Sequence, residues 1–366
     1  MFPVRKELLL IKIGHFALAG LVSLGVARSD AFAQTTETPA ATPAAEKPAA
    51  EKPAVKRASA PRKPLYSAQR SLSRQAALAR ARSAATAREM ADSAVPRYKV
   101  DAGGDLVPDV HAAAAIIYNP ETGQVLFEEN SLSQRSIASI TKVMTATVFL
   151  ENNPDLSETV TVARSDVFMA STTHLRVNDR LSADDLLHLL LIASDNAAAR
   201  ALARVSPYGS EGFIGRMNQK AAELGLESTR YADPSGLLSD NVSSAYDMAR
   251  LITLASGDER ISHIMRTPEY TVHAARRDIT FRSTDRLLGR PEFDVMAAKT
   301  GFISKAGYCL ATLLRLPESG QQVAVVVLGA RSNAGRFMET QNLFNWLASK
   351  ASTIFATKTP TAAPDQ

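Results

Sequence analysis

Cysteine is all but missing from the 366-residue chain, with Cys309 the only one. No internal disulfide can form, so stability must come from a packed core, for which the length is ample. Cys309 lies in the strand-like run Gly307-Tyr308-Cys309-Leu310, where a thiol serves as a small buried hydrophobe rather than a nucleophile. A run apolar enough to span a membrane is missing as well. The stretch from about Ile13 to Val26 contains His15 and glycines and falls short of the roughly 20 residues a spanning helix needs. Arg5, Lys6 and Lys12 precede it and Ala31-Phe32-Ala33 follows it, the layout of a cleavable export signal over residues 1–33.

Positive charge is scarce where a nucleic-acid-binding domain would need it. The chain is +5 overall, but residues 34–100 hold 13 Lys and Arg against 5 Asp and Glu. The basic excess belongs to this N-terminal stretch, and residues 101–366 are net acidic, which argues against a nucleic-acid partner. Residues 34–105 read as a basic Ala/Pro/Lys/Arg-rich linker, with too few large apolar groups to offset the entropy of ordering. Within it, residues 67–95 are rich in Ala and Arg and could be helical. Attraction of this stalk to an anionic cell wall is one expectation, and a merely solvated segment is the other.

From about residue 106 the texture is globular. Ala112 to Tyr118 and Gln124 to Phe127 flank the turn signal Asn119-Pro120-Glu121-Thr122-Gly123, which predicts a β-hairpin. A helix is predicted from near Ser139, with Ile140, Val143, Met144, Thr147 and Val148 as its apolar stripe. Ser182 and Asp185 form a capping box ahead of the Leu-rich stretch Leu186 to Leu191, a helix apolar over most of its surface and therefore buried. Further helices are expected over 197–203, over 211–224 closed by Gly225, and over 246–255. Strands return at 293–300, 307–316 and 322–328, before a last helix over 334–349 and a polar tail over 351–366. No internal repeat is present. Strands at both ends with helices between predict an α+β domain over 106–350, a sheet covered by helices with a cleft against a helical lobe.

Three short motifs carry chemistry. Ser139-Ile140-Thr141-Lys142 places a lysine one helical turn below a serine, and helix-terminal amides favour negative charge nearby. A serine needs a base to become a nucleophile, and a lysine serves if burial depresses its pKa. Ser194-Asp195-Asn196 follows the buried Leu-rich helix; it can project a hydroxyl and an amide into a cleft, and it suits helix capping equally well. A second copy, Ser239-Asp240-Asn241, follows the loop Asp233-Pro234-Ser235-Gly236-Leu237 and reads as loop chemistry. Lys299-Thr300-Gly301 is expected to end a strand, where a charge, a hydroxyl and a close backbone approach suit an anionic substrate.

Taken in order, Ser-x-x-Lys, Ser-x-Asn and Lys-Thr-Gly form the trio of penicillin-binding proteins and class A β-lactamases. Residues 106–350 resemble the low-molecular-mass penicillin-binding proteins, peptidase family S11, and within them the D-alanyl-D-alanine endopeptidases of the penicillin-binding protein 7 type. The likeness extends over Ile137 to Ala146, over Met217-Asn218 with Ala222, Leu224 and Gly225, over Asp233 to Leu237, and over Lys299 to Phe302 with Ala306 to Leu310. The resemblance implies a β-lactamase/transpeptidase-like fold and an acyl-enzyme on Ser139, with Lys142 as base and Ser194 relaying a proton to the leaving amine. It further implies that Asn196, Lys299, Thr300 and Gly301 bind substrate, and that the backbone N–H groups of Ser139 and Phe302 form an oxyanion hole. No metal or cofactor is implied, and the six histidines have no catalytic part. The implied partners are peptidoglycan stem peptides and cross-links, with β-lactams as covalent inhibitors, and the implied location is the periplasm. Carboxypeptidase relatives carry a second domain and an amphipathic anchor, whereas the polar residues after the last helix here offer nothing to a membrane interface. That favours cross-link cleavage over trimming of terminal D-alanine. A β-lactamase, or an idle wall-binding module, are the more distant alternatives.

Overall fold

The computed structural model describes residues 74–356, apart from 82, 86, 89, 90, 92–94, 275, 276 and 318. The expected signal sequence, most of the basic linker and the end of the polar tail lie outside the described residues. Among those described, no helix is long and apolar enough to cross a membrane.

Where described, residues 74–91 are helical, as the Ala- and Arg-rich composition of 67–95 allowed. A short antiparallel pair, β1 (Tyr98–Val100) and β2 (Leu106–Pro108), follows, so ordered pairing begins inside the stretch assigned to the linker. The central sheet then starts with the expected hairpin, β3 (Ala114–Tyr118) and β4 (Val125–Glu129). Two-residue strand β5 (Arg135–Ser136) leads into a 3-10 turn over Ala138–Ile140, and helix α1 (Thr141–Leu150) continues from it. The helical lobe that follows contains β6 (Thr159–Thr161), α2 (Arg164–Val167) and β7 (Arg180–Ser182). Next come α3 (Ala183–Leu191), α4 (Asn196–Val205) and α5 (Gly209–Glu223). Strand β8 (Val242–Ser243), which pairs with β5, precedes α6 (Ala245–Ser256) and α7 (Glu259–Met265). A hairpin of β9 (Glu269–Ala274) and β10 (Arg277–Arg282) then leads back to the sheet. There β11 (Asp294–Ile303), β12 (Gly307–Arg315) and β13 (Gln322–Ala330) run before the final helix α8 (Asn333–Ala356).

The sheet order is β11-β12-β13-β3-β4, antiparallel throughout, so strands from the two ends of the domain do share one sheet. Both faces are covered, which is why β13 is apolar almost without interruption. Val323, Val325 and Val327 pack with Phe344 and Leu347 of α8, whereas Ala324, Val326 and Leu328 join the core of the helical lobe. Trp346 of α8 also donates from Nε1 to Leu106 O at 3.3 Å, which ties the β1–β2 pair to the sheet's helical cover.

Two expectations change. Lys299-Thr300-Gly301 does not end its strand; β11 runs on through Ile303, because Phe302 and Ile303 pair with Tyr308 and Gly307 across the turn. The β9–β10 hairpin was not anticipated. Its exposed positions are polar or charged and its buried set is only Val272, Ala274, Ile279 and Phe281, too sparse to stand out from a loop.

Helix α3 begins where the capping box predicted. Asp185 N donates to Ser182 Oγ at 3.0 Å and Ser182 N to Asp185 Oδ2 at 3.2 Å. Ser182→Ala is expected to lower stability by about 1 kcal/mol, read from urea denaturation with an unchanged m-value. A change under a few tenths would show that packing of the leucines alone fixes this helix start.

Candidate active site

The cleft of about 550 Å³ between sheet and helical lobe is lined by Ser139, Ser194, Asn196, Thr300, Gly301 and Phe302, together with Ser171, Thr284 and Arg336. Three walls therefore bring the three motifs to one place.

The first wall is the turn before α1. Ala138 is held at φ 49°, the left-handed region that costs a residue with a Cβ free energy, and so sets Ser139 facing the cleft. The loop over residues 233–241 supports this strained turn from behind. Gly236 lies so close that a Cβ there would stand 2.0 Å from Ala138 O. Asp233 accepts from the N–H groups of Ser235, Gly236 and Leu238. Asn241 donates to Asp233 Oδ1, and its carbonyl accepts from Ile137 N. This is the loop chemistry read for the second Ser-Asp-Asn copy: Asn241 is buried as a brace, while Ser239 and Asp240 are exposed.

Lys142 lies one turn below Ser139 and is fully buried. Its Nζ is 2.9 Å from Ser139 Oγ, 2.6 Å from Asn196 Oδ1 and 2.5 Å from Ser235 O. Burial is the main cause that lowers its pKa to about 7; Asp233 and Asp195 oppose the drop and Arg200 adds to it. A neutral amine satisfies this geometry fully. It donates two N–H bonds to Asn196 and Ser235 and turns its lone pair to the Ser139 hydroxyl.

The second wall is the start of α4, and here both readings of Ser194-Asp195-Asn196 hold at different residues. Asp195 is the cap, its Oδ1 accepting from Ala197 N at 2.9 Å and Ala198 N at 3.0 Å. It also accepts from Thr173 Oγ1 and His174 N, so the loop before it is fixed to the same helix. Asn196 donates from Nδ2 to Ala170 O at 2.7 Å, which aims its Oδ1 at Lys142. Ser194, at φ 60°, turns into the cleft.

The third wall is β11. Lys299 is buried, and its Nζ donates to Ser194 Oγ at 2.8 Å and to Thr300 O at 3.0 Å. Burial, then the neighbouring Lys142 and Arg336, push its pKa well down, because the protein gives it only neutral acceptors. Gly301 must be glycine: a Cβ would stand 2.6 Å from Ile137 O and 3.1 Å from Ser139 N, so the strand passes directly over the serine's amide. Phe302 follows it, 48% exposed, with its ring stacked on Tyr308 at 4.2 Å.

Several groups of this site had no signal in the sequence. Arg336 is buried and donates from Nη1 to Gly301 O at 3.0 Å and Cys309 O at 3.2 Å. It comes from the last helix, far from any motif. The carbonyl of Ser235 is likewise invisible to side-chain reading. Cys309 is buried, and burial raises its thiol pKa, in keeping with a packing role. Among the described residues, no histidine and no carboxylate lines the cleft. Among the described residues, no cluster of three or more His, Cys, Asp or Glu side chains could hold a metal ion.

A family model, peptidase S11, described as D-alanyl-D-alanine carboxypeptidase, matches residues 102–332. This chain belongs to peptidase family S11. Among its S11 relatives, the D-alanyl-D-alanine endopeptidase of Pseudomonas aeruginosa is 35% identical over 250 residues, 67% of this chain and 80% of the relative. The D-alanyl-D-alanine endopeptidase of Escherichia coli is 32% identical over 244 residues, 66% of this chain and 78% of the relative. The crystal structure of the Streptomyces K15 DD-transpeptidase superposes with a TM-score of 0.60 at 27% identity, over 65% of this chain and 97% of that one. The α+β fold with its cleft is thus shared with a DD-transpeptidase.

Proposed function

We propose that this S11 chain is a periplasmic serine-type D-alanyl-D-alanine endopeptidase that cuts peptidoglycan cross-links through an acyl-enzyme on Ser139. The observation that carries the reading is the buried Lys142 amine 2.9 Å from Ser139 Oγ, with its pKa lowered to about 7. Ser139 Oγ attacks the carbonyl of the D-alanyl peptide bond as its proton passes to Lys142 Nζ. The N–H groups of Ser139 and Phe302 stabilise the resulting oxyanion, each such donor worth about 10²–10³ in rate. The C–N bond then breaks, and Ser194 relays the proton from Lys142 to the departing amine. Water then attacks the ester, its proton passing to Lys142 Nζ and from there to the departing Ser139 Oγ.

Asn196 holds Lys142 and contacts the substrate. Lys299 and Thr300 bind an anionic group of the substrate, with Gly301 allowing its backbone close. That anion supplies the opposite charge Lys299 lacks in the protein alone, and so favours its protonated form. A charged Lys299 in turn opposes protonation of Lys142. Among the described residues no carboxylate lines the cleft, which supports slow release of a penicilloyl group rather than β-lactamase turnover. The endopeptidase names of the two relatives favour cross-link cleavage, and the leader-like N-terminus favours export.

Dimeric muropeptides test the specificity. The expected products are monomers without free D-alanine, with no turnover by Ser139→Ala. Release of free D-alanine from pentapeptide monomers, with dimers untouched, would make the chain a carboxypeptidase. Cleavage of dimers by folded Ser139→Ala would remove the serine mechanism.

A further inference from the structure

Thr284 belongs to no motif and lies in the connection between β10 and β11, half-buried at the edge of the cleft. Its hydroxyl pairs with Thr300 Oγ1 at 2.7 Å. Its N–H donates to Ile192 O at 3.2 Å, two residues before Ser194. Lys299 Nζ in turn reaches both Ser194 Oγ and Thr300 O. These contacts close a ring that runs from Thr300 through Thr284 and Ile192 to Ser194, and back through Lys299. Thr284 is therefore the tie between the wall that carries Ser194 and the wall that carries Thr300.

We infer that Thr284 is a positioning residue that turns the Thr300 hydroxyl into a donor for the carboxylate of an acylating substrate. The inference rests on the proposed acyl-transfer function. A carboxylate only accepts hydrogen bonds, so Thr300 must direct its single O–H at the ligand. In the protein alone that proton has a ready acceptor in Thr284 Oγ1, and Thr300 is buried away from solvent. When the anion arrives the pair reverses: Thr300 donates to the carboxylate and Thr284 donates to Thr300. The second bond holds the Thr300 rotamer, satisfies its buried oxygen and polarises its O–H, each of which strengthens the contact to the anion. Without the Thr284 hydroxyl, Thr300 binds the anion with its own oxygen unsupported.

The test compares acylation of Ser139 by benzylpenicillin and by its methyl ester, which lacks the anion. The readout is the ratio of the two second-order rate constants, from intact-mass kinetics. Thr284→Val is expected to lower the acid-to-ester ratio about five-fold, the worth of one ordinary hydrogen bond. Thr284→Ser, which keeps the hydroxyl, should restore the ratio to within about two-fold, inside the same hydrogen-bond scale. A role limited to holding the loop in place would lower both rates together and leave the ratio unchanged, which overturns the inference. Failure of serine to rescue overturns it too. Thr284→Ala gives the same comparison should the valine protein not fold. Absence of any adduct on the native protein would end the acyl-transfer reading and this inference with it, an outcome distinct from adducts that form at an unchanged ratio.

Discussion

Lys142→Met should slow acylation of Ser139 by benzylpenicillin about 10³-fold, the usual worth of a positioned general base, in a protein that still folds. Methionine fills the volume of the buried stem, although Asn196 Oδ1 and Ser235 O lose the donor that Nζ gives them. What is lost is the lone pair that receives the serine proton. Lys142→Arg separates base from charge: it keeps the cation, but a guanidinium cannot give up its proton near neutral pH. It should therefore fail as badly as methionine. If arginine retained a tenth or more of the native rate, Lys142 would be acting as a fixed charge rather than a base.

The same lysine sets the pH dependence. The competent form is the neutral amine, whose pKa is lowered to about 7 chiefly by burial. The second-order acylation rate should thus rise through pH 7 and level off above it. A rate still climbing towards pH 10 would mean that the amine keeps the ordinary value of a solvated lysine. Stability responds in the same direction. Between pH 7 and the ordinary lysine range near 10.4, the unfolded chain binds the proton and the folded protein does not. This residue's contribution to folding therefore grows as pH rises through that window and is weakest below it. Lys142→Met should lack that slope when denaturation midpoints are followed with pH.

How much of this was legible beforehand depended on what each residue does. Repetitive packing was visible: the apolar run of β13, the stripe of α1 and the Ser182 cap are local patterns of residue type, period or offset. The three motifs were visible as residue types at fixed spacing, and a side chain that must carry chemistry is visible by nature. Residues that act through the backbone were not. Ser235 contributes a carbonyl, Ile192 a carbonyl and Thr284 a second hydroxyl behind Thr300, and none of these has a type or spacing that marks it. Arg336 reaches Gly301 from 35 residues along the chain, a distance at which only the closed sheet supplies the neighbour. The strain at Ala138 and Ser194 was also hidden, since both are ordinary residues placed in left-handed backbone by what surrounds them. Ser-Asp-Asn shows the limit well. The two copies share their residue types and only their flanking sequence tells them apart; the fold sends Ser194 of one into the cleft and makes Asn241 of the other a brace beneath the same serine.

That brace leads to the second large effect. Gly236→Ala should reduce both stability and acylation, although Gly236 touches no substrate. Its φ of 80° already penalises any Cβ, and the added carbon would stand 2.0 Å from Ala138 O, 2.5 Å from Ala138 C and 3.0 Å from Ser139 N. All three are backbone atoms of the turn that presents the nucleophile, so no flexible side chain can swing aside. Either the loop over residues 233–241 backs away, which releases Ser235 O from Lys142, or the turn moves and carries Ser139 with it. Left-handed strain together with overpacking is expected to cost about 2–4 kcal/mol, read from urea denaturation. A displacement near 1 Å at Ser139 is expected to cost about 10²-fold in acylation. Gly215 supplies the contrast: it lies exposed within α5 and nothing stands within 4 Å of its missing Cβ. Gly215→Ala should leave acylation alone and stabilise the protein by about 0.4–1 kcal/mol through the unfolded chain. If the two alanines behaved alike, the loop would not be buttressing the serine, and the strain at Ala138 would need another support.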